Sequence, residues 1–326
     1  MTAEVLCLRP EADFTRVGSP APASLEVTYR GPQDADVPDL IRSARALVIP
    51  AVGPKLPPEF FGGAALGLVQ VTGAGLDRLD RPALERLGIP VANVPGGSNA
   101  ALAEYAVTTA AMLARRFGWA DAEIRAGNYA AFRQRMLADN VGGLEGLLVG
   151  IVGFGAIGAA VGEAFARMGC RLCYYDPAPA KPEAAGRLGA QAMSLSELLA
   201  QADVVSLHLP LLPSTENLIG AAELASMKPG ALLIQASRGG IVDESALADA
   251  LRTGPLGGAA VDVYATEPPG ADNPLFALEG DAARKILFTP HIAGVTRQSA
   301  AYLFRTAWEN VERAVVRNEP PLYRVY

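Results

Sequence analysis

Apolar residues in this chain fall in short continuous runs rather than in strict alternation with polar ones. In the first hundred residues the runs Glu4–Leu8, Ala46–Ile49, Gly67–Val71 and Pro90–Asn93 predict strands, with short helices between them. Further on, Leu147–Gly153, Arg171–Tyr175, Val204–Leu207, Ala231–Ala236, Gly258–Val263 and Ile286–Thr289 predict six more. A strand that is apolar on both faces belongs in a parallel sheet covered on both sides. Helices are readable from composition and caps. Asn99–Arg116 is alanine-rich with no internal breaker and predicts one long helix. Ser194-Leu195-Ser196-Glu197 is a capping box opening Leu195–Ala200. Asp243 can cap Glu244–Arg252, which Gly254 ends. Ala156–Met168 and Thr296–Arg317 complete the set, and Pro177-Ala178-Pro179-Ala180-Lys181-Pro182 reads as a short stiff loop. Strand–helix alternation of this kind is the doubly wound α/β pattern.

At 326 residues the chain exceeds the size at which one core stops growing, so two domains are expected. The last helix adds no further strand–helix unit and is expected to return to the N-terminal region. One domain would then be residues 1–99 with 297–326, and the other residues 100–296. Tyr302, Phe304 and Trp308 on that helix are expected to pack between the domains rather than to shape a pocket. Half the residues are hydrophobic and 19% are charged, which supports a buried core and argues against disorder. A net charge of −6 offers no basic footprint for nucleic acid or an anionic membrane. No apolar stretch is long enough to span a bilayer. Met1-Thr2-Ala3-Glu4-Val5-Leu6 lacks the basic start and apolar core of a secretory signal, so a cytoplasmic protein is expected. Three cysteines make no disulfide framework. Cys170 and Cys173 have CxxC spacing, but on a strand they point to opposite faces, which predicts packing rather than a bridge or a metal site.

Candidate chemistry begins at Gly153-Phe154-Gly155-Ala156-Ile157-Gly158, which follows an apolar strand and opens a helix. Gly153 makes the tight turn, Gly155 lets a pyrophosphate approach, and Gly158 lets helix and strand pack closely. The first turn, with Ala156 and Ile157, offers free N–H groups to the phosphates. Asp176 ends the next strand, where a carboxylate accepts hydrogen bonds from the adenosine ribose and repels a 2′-phosphate. NAD is expected over NADP, with Arg171, Lys181 and Arg187 the cations near enough in sequence to bear on that choice.

Behind this fingerprint lie Arg238 in Ser237-Arg238-Gly239-Gly240, Glu267 in Thr266-Glu267-Pro268, and His291 in Thr289-Pro290-His291. A cation, a carboxylate and an imidazole can hold an anionic substrate and move a proton. His291 is one of only two histidines in the chain.

With these motifs, Val71-Thr72-Gly73-Ala74-Gly75-Leu76-Asp77, Asp203–Pro210 and Val261-Asp262-Val263-Tyr264, the chain resembles the D-isomer-specific 2-hydroxyacid dehydrogenase family over nearly its whole length. The resemblance implies a Rossmann domain inserted into a smaller flavodoxin-like α/β substrate domain, and NAD-dependent interconversion of a 2-oxo acid and a D-2-hydroxy acid. It implies that His291 is the acid/base, that Glu267 pairs with it and favours the imidazolium, and that Arg238 holds the substrate carboxylate. Backbone N–H groups of Gly73, Ala74 and Gly75 would bind the same carboxylate. His208, Leu209, Pro210 and Ala236 would line the cofactor pocket, and Asp262 would meet the nicotinamide carboxamide. A homodimer is implied too. Many relatives carry Asn where Ser98 stands, with Asn99 one place later, so neither is assigned. Formate dehydrogenases pair their histidine with glutamine, so Glu267 points to hydroxyacid chemistry. Phosphite dehydrogenase keeps a similar trio, and an NAD-binding corepressor-like protein is the alternative from another class. Pro50-Ala51-Val52-Gly53 with Leu76 forms an apolar, small pocket edge that disfavours a phosphorylated substrate.

Overall fold

A computed structural model describes residues 3–178 and 182–326 of the chain. Pro179, Ala180 and Lys181 of the predicted stiff loop lie outside the described residues. Two compact units form, Met1–Ser98 with Val295–Tyr326 and Asn99–Gly294.

In the first unit the strands are β1 (Ala3–Cys7), β2 (Leu25–Tyr29), β3 (Ala46–Ile49), β4 (Leu68–Val71) and β5 (Val91–Ala92). They pair in parallel in the order β2-β1-β3-β4-β5, the flavodoxin-like arrangement. Successive residues of β3 enter opposite cores: Ala46 and Val48 join Phe14, Trp308 and Val311, whereas Leu47 and Ile49 join Ile41, Phe61 and Leu84. That division is why the run has no polar face. The hydrophobic pattern does not predict β2, whose sequence Leu-Glu-Val-Thr-Tyr keeps only Leu25 buried because the strand lies at a sheet edge.

The C-terminal helix, Arg297–Val315, is capped by Thr296 and belongs to this unit. Phe304 and Trp308 lie 4.5 and 4.9 Å from the Phe14 ring, and the Trp308 indole donates to the Ser19 carbonyl. They complete the core of the unit itself rather than packing between domains, because the helix lays one apolar stripe on its own sheet. Tyr302 remains exposed.

The second unit holds β6 (Leu148–Val152), β7 (Arg171–Tyr175), β8 (Gln191–Ala192), β9 (Val204–Leu207), β10 (Leu232–Gln235), β11 (Gly258–Val261) and β12 (Ile286–Phe288). Their order is β12-β11-β10-β9-β6-β7-β8, all parallel. This is a doubly wound Rossmann sheet with an added edge strand, and its order reverses between β6 and β9. Ser194 and Glu197 form the expected capping box, and Asp243 caps Glu244–Arg252 through the Ser245 and Ala246 amides. The predicted helix over 99–116 stops at Ala114. Arg116 adopts a left-handed φ of 54°, and separate helices Phe117–Arg125 and Tyr129–Ala138 follow. Cys170 and Cys173 are buried in the cores on opposite faces of the sheet, and neither is bridged. No helix among the described residues is long and apolar enough to cross a membrane.

Candidate active site

Parallel strands send all their C-terminal ends to one edge, so the sheet order decides which loops become neighbours. The fingerprint leaves β6, His208 follows β9, Arg238 follows β10, and Glu267 and His291 follow β11 and β12. All five of these loops therefore come from strands that are consecutive in the sheet, and the fingerprint sits at the reversal point where α/β folds open a crevice.

Gly153 has a φ of +93°, and a Cβ on it would lie 2.7 Å from the His208 carbonyl oxygen. A Cβ on Gly158 would come within 2.0 Å of the Gly153 carbonyl oxygen, whereas one on Gly155 would meet nothing within 4 Å. The turn is thus packed tightly behind and open in front. Helix Ala156–Arg167 starts at Gly155 with no side-chain cap, which leaves its N-terminal amides for a ligand. Asp176 accepts Phe154 N–H at 2.7 Å through one carboxylate oxygen and Ala178 N–H at 2.9 Å through the other. Its carboxylate therefore helps shape the turn and keeps lone pairs to spare. Arg171 begins β7 at the end opposite Asp176, and Arg187 reaches Glu163 at 3.5 Å.

His208 bonds Ser206 Oγ through Nε2 at 2.8 Å, while its Nδ1 is shut off from solvent with no partner among the described residues. Burial pulls its pKa down to about 4, so the ring is neutral at pH 7. Leu209 is buried behind Gly153, and the Pro210 carbonyl accepts the Thr215 hydroxyl. Ala236 packs with Leu102, Ala293 and Ile157, a small apolar cluster joining the fingerprint helix to the loops bearing Arg238 and His291. A glycine cradle, uncapped helix amides and an orphaned buried nitrogen on one sheet edge fit a dinucleotide.

Arg238 lies in a loop that is fixed from both sides. Gln235 Nε2 donates to the Arg238 carbonyl at 2.9 Å and Gln235 Oε1 accepts the Ser237 hydroxyl at 2.7 Å. On the other side Gly239 packs so closely that a Cβ would sit 1.7 Å from the Tyr264 carbonyl oxygen. Tyr264 N–H in turn donates to Glu267 Oε1 at 3.0 Å, and Glu267 Oε2 meets His291 Nδ1 at 2.8 Å. His291 retains about a quarter of its side-chain exposure, which leaves the ring reachable. A continuous path of contacts therefore runs from the Arg238 loop through Tyr264 to Glu267 and His291.

Asp262 is almost wholly buried. Its carboxylate accepts Thr289 Oγ1 at 2.6 Å and the amides of Ile292 and Ala293 at 2.8 Å each. The side chain expected to face a carboxamide thus also holds the His291 loop. Asn99 Nδ2 donates to the Ala156 carbonyl of the fingerprint at 3.4 Å. In the first unit, Gly73, Ala74 and Gly75 follow β4. The Gly73 and Ala74 carbonyls are tied by Val94 N–H and Asn93 Nδ2, and a Cβ on Gly73 would press to 2.8 Å from Ala51. Sequence reasoning missed the supporting roles of Ser206, Gln235, Tyr105 and Thr289; Ser206 and Thr289 stood inside motifs that could have flagged them, Gln235 and Tyr105 did not.

The family model for the D-isomer specific 2-hydroxyacid dehydrogenase, NAD binding domain, matches residues 107–293. The chain belongs to this family. An (S)-sulfolactate dehydrogenase of Chromohalobacter salexigens is 39% identical over 243 residues, covering 74% of this chain and 75% of that protein. A D-3-phosphoglycerate dehydrogenase of Archaeoglobus fulgidus is 35% identical over 234 residues, covering 72% of this chain and 42% of that protein. This chain thus spans under half the length of the phosphoglycerate dehydrogenase it matches. In three dimensions it is similar to the D-mandelate dehydrogenase of Rhodotorula graminis, with a TM-score of 0.83 at 26% identity, covering 100% of this chain and 98% of that one. As a family member the chain is an NAD-dependent oxidoreductase of small 2-hydroxy and 2-oxo acids.

Proposed function

We propose that this dehydrogenase interconverts a compact 2-oxo acid and its D-2-hydroxy acid, with His291 moving the proton. The observation that carries the reading is the 2.8 Å bond between His291 Nδ1 and Glu267, beside the braced Arg238 loop. A carboxylate can only accept, so Nδ1–H donates to it and Nε2 is left to give a proton to the substrate carbonyl oxygen or take one from the hydroxyl. Glu267 orients the ring. The Arg238 guanidinium binds the substrate carboxylate bidentately. Backbone amides of Gly73, Ala74 and Gly75 are substrate-binding groups, so the unit that contains them serves as the substrate domain and the other as the cofactor domain. The bound nicotinamide supplies or accepts the hydride.

NADH is the preferred reductant over NADPH. In support, Asp176 stands as a carboxylate at the end of β7, and Arg171 lies at the strand's other end. A compact substrate is favoured by Ala51 and Leu76, which are apolar and packed on the first unit's core. The working form is a homodimer built through helices Phe117–Arg125 and Tyr129–Ala138. Between them these two helices bury only Phe132, and they leave Phe117, Ile124, Tyr129 and Leu137 exposed. Helices this short need a packing partner. Beside them lies a hollow of about 700 Å³ lined by Leu113, Trp119, Ile286 and Leu287 among others.

NADH and NADPH oxidation followed against glyoxylate, hydroxypyruvate, pyruvate and bulkier 2-oxo acids tests the reading. Turnover of at least one compact acid with NADH is expected, and no turnover of any by a protein that still binds NADH would defeat it. His291→Ala should lower kcat by about 10²–10⁴-fold while leaving NADH affinity little changed.

A further inference from the structure

His291 has a φ of +56°, a left-handed conformation that an L residue keeps only when its surroundings impose it. The surroundings here are Asp262. Its carbonyl accepts the His291 amide at 2.8 Å, and its carboxylate accepts the next two amides, those of Ile292 and Ala293. The clamp holds only while the carboxylate keeps its orientation, and one of its oxygens is fixed by the Thr289 hydroxyl at 2.6 Å. Thr289 has a single hydroxyl proton and spends it on Asp262. Tyr105, whose hydroxyl lies 2.7 Å from Thr289 Oγ1, must therefore be the donor in that contact. A second tyrosine, Tyr264, donates to the Thr289 carbonyl at 3.1 Å.

We propose that Tyr105 and Thr289 are positioning residues for His291, acting through the Asp262 carboxylate; this rests on the reading of His291 as the acid/base. Tyr105 donates to Thr289 and Thr289 donates to Asp262, whose carboxylate in turn accepts the two amides after His291. Tyr105 comes from the helix Asn99–Ala114, 184 residues away in sequence, so the relay ties the histidine loop to a rigid element outside the strands that carry the trio. Burial pushes the Tyr105 phenol up to about 12, so it keeps its proton and its donor role throughout the neutral range. The arrangement explains how an exposed loop after a short edge strand can hold an imaginable spread of ring positions to one.

Amide hydrogen exchange and steady-state kinetics on Thr289→Val, Thr289→Ser and Tyr105→Phe test it. Thr289→Val should speed exchange at His291, Ile292 and Ala293 by roughly tenfold or more, with Tyr105→Phe giving a smaller rise and β10 amides unchanged. In the same variants kcat should fall, about tenfold for Thr289→Val, while KM and NADH affinity stay within about twofold. Thr289→Ser, which keeps the hydroxyl, should restore both. Wild-type exchange at the three amides in a folded Thr289→Val protein would overturn the proposal, as would failure of Thr289→Ser to restore them. If Thr289→Val does not fold, Tyr105→Phe decides by the same measurements. Exchange needs no substrate, so an absence of turnover would count against the proposed reaction alone and leave the clamp to be judged separately.

Discussion

His208 keeps a neutral imidazole in a place where its second nitrogen has no partner among the described residues, and that has a measurable consequence. Its pKa is pulled down to about 4 by burial, whereas an unfolded chain binds the proton near the ordinary value of 6.5. Between those values the unfolded state holds more protons, so the stabilisation is complete above pH 6.5 and is lost as pH falls toward 4. The loss from this one group is up to about 3 kcal/mol. Urea midpoints measured across pH 5–7 should therefore fall more steeply for the wild type than for His208→Gln; equal slopes would show that the ring titrates freely. The trio Arg238, Glu267 and His291 was legible because each sits in a short motif of turn residues. The bonds from Tyr105 to Thr289 and from Thr289 to Asp262 were not, since they join residues 184 and 27 apart and leave no local pattern in the sequence.

Elements with strong local signals matched the sequence to within a residue or two. Caps at Ser194 and Asp243 act on the next few amides, so the sequence around them suffices. Two-sided strands such as β3 and β6 need only to be apolar throughout. Edge elements were less legible: β2 keeps a single buried residue, and β8 is two exposed residues long. The break after Ala114 was missed because Arg116 carries no turn signature, yet its left-handed φ ends the helix. At the fingerprint the element and the site coincide. Gly158→Ala puts a methyl group 2.0 Å from the Gly153 carbonyl oxygen, so the helix must move away from the strand. A fall of at least about tenfold in NADH affinity and a stability cost of about 1–3 kcal/mol are expected, read by fluorescence titration and thermal unfolding. Unchanged values for both would show that the turn is looser than the packing indicates.

For the whole molecule, the chain returns to its first sheet after completing the second, and its last helix supplies Phe304 and Trp308 to a core begun by residues 5–68. The proposed homodimer belongs to this scale. Sedimentation should give twice the chain mass, and Tyr129→Glu with Leu137→Glu, both at exposed positions, should halve it without unfolding the monomer. A wild type that sediments as a monomer would remove the dimer. Read alone, the sequence determined the α/β class and the family, and it picked out the dinucleotide turn and the trio proposed to react. Each of these is written in local periodicity, in caps, or in motifs a few residues long. The tertiary structure alone decided that Asp262 serves the His291 loop, that Tyr264 links the Arg238 loop to Glu267, and that Tyr105 reaches Thr289. Those contacts join residues far apart in the chain, and only the order in which the strands assemble brings them within hydrogen-bond reach.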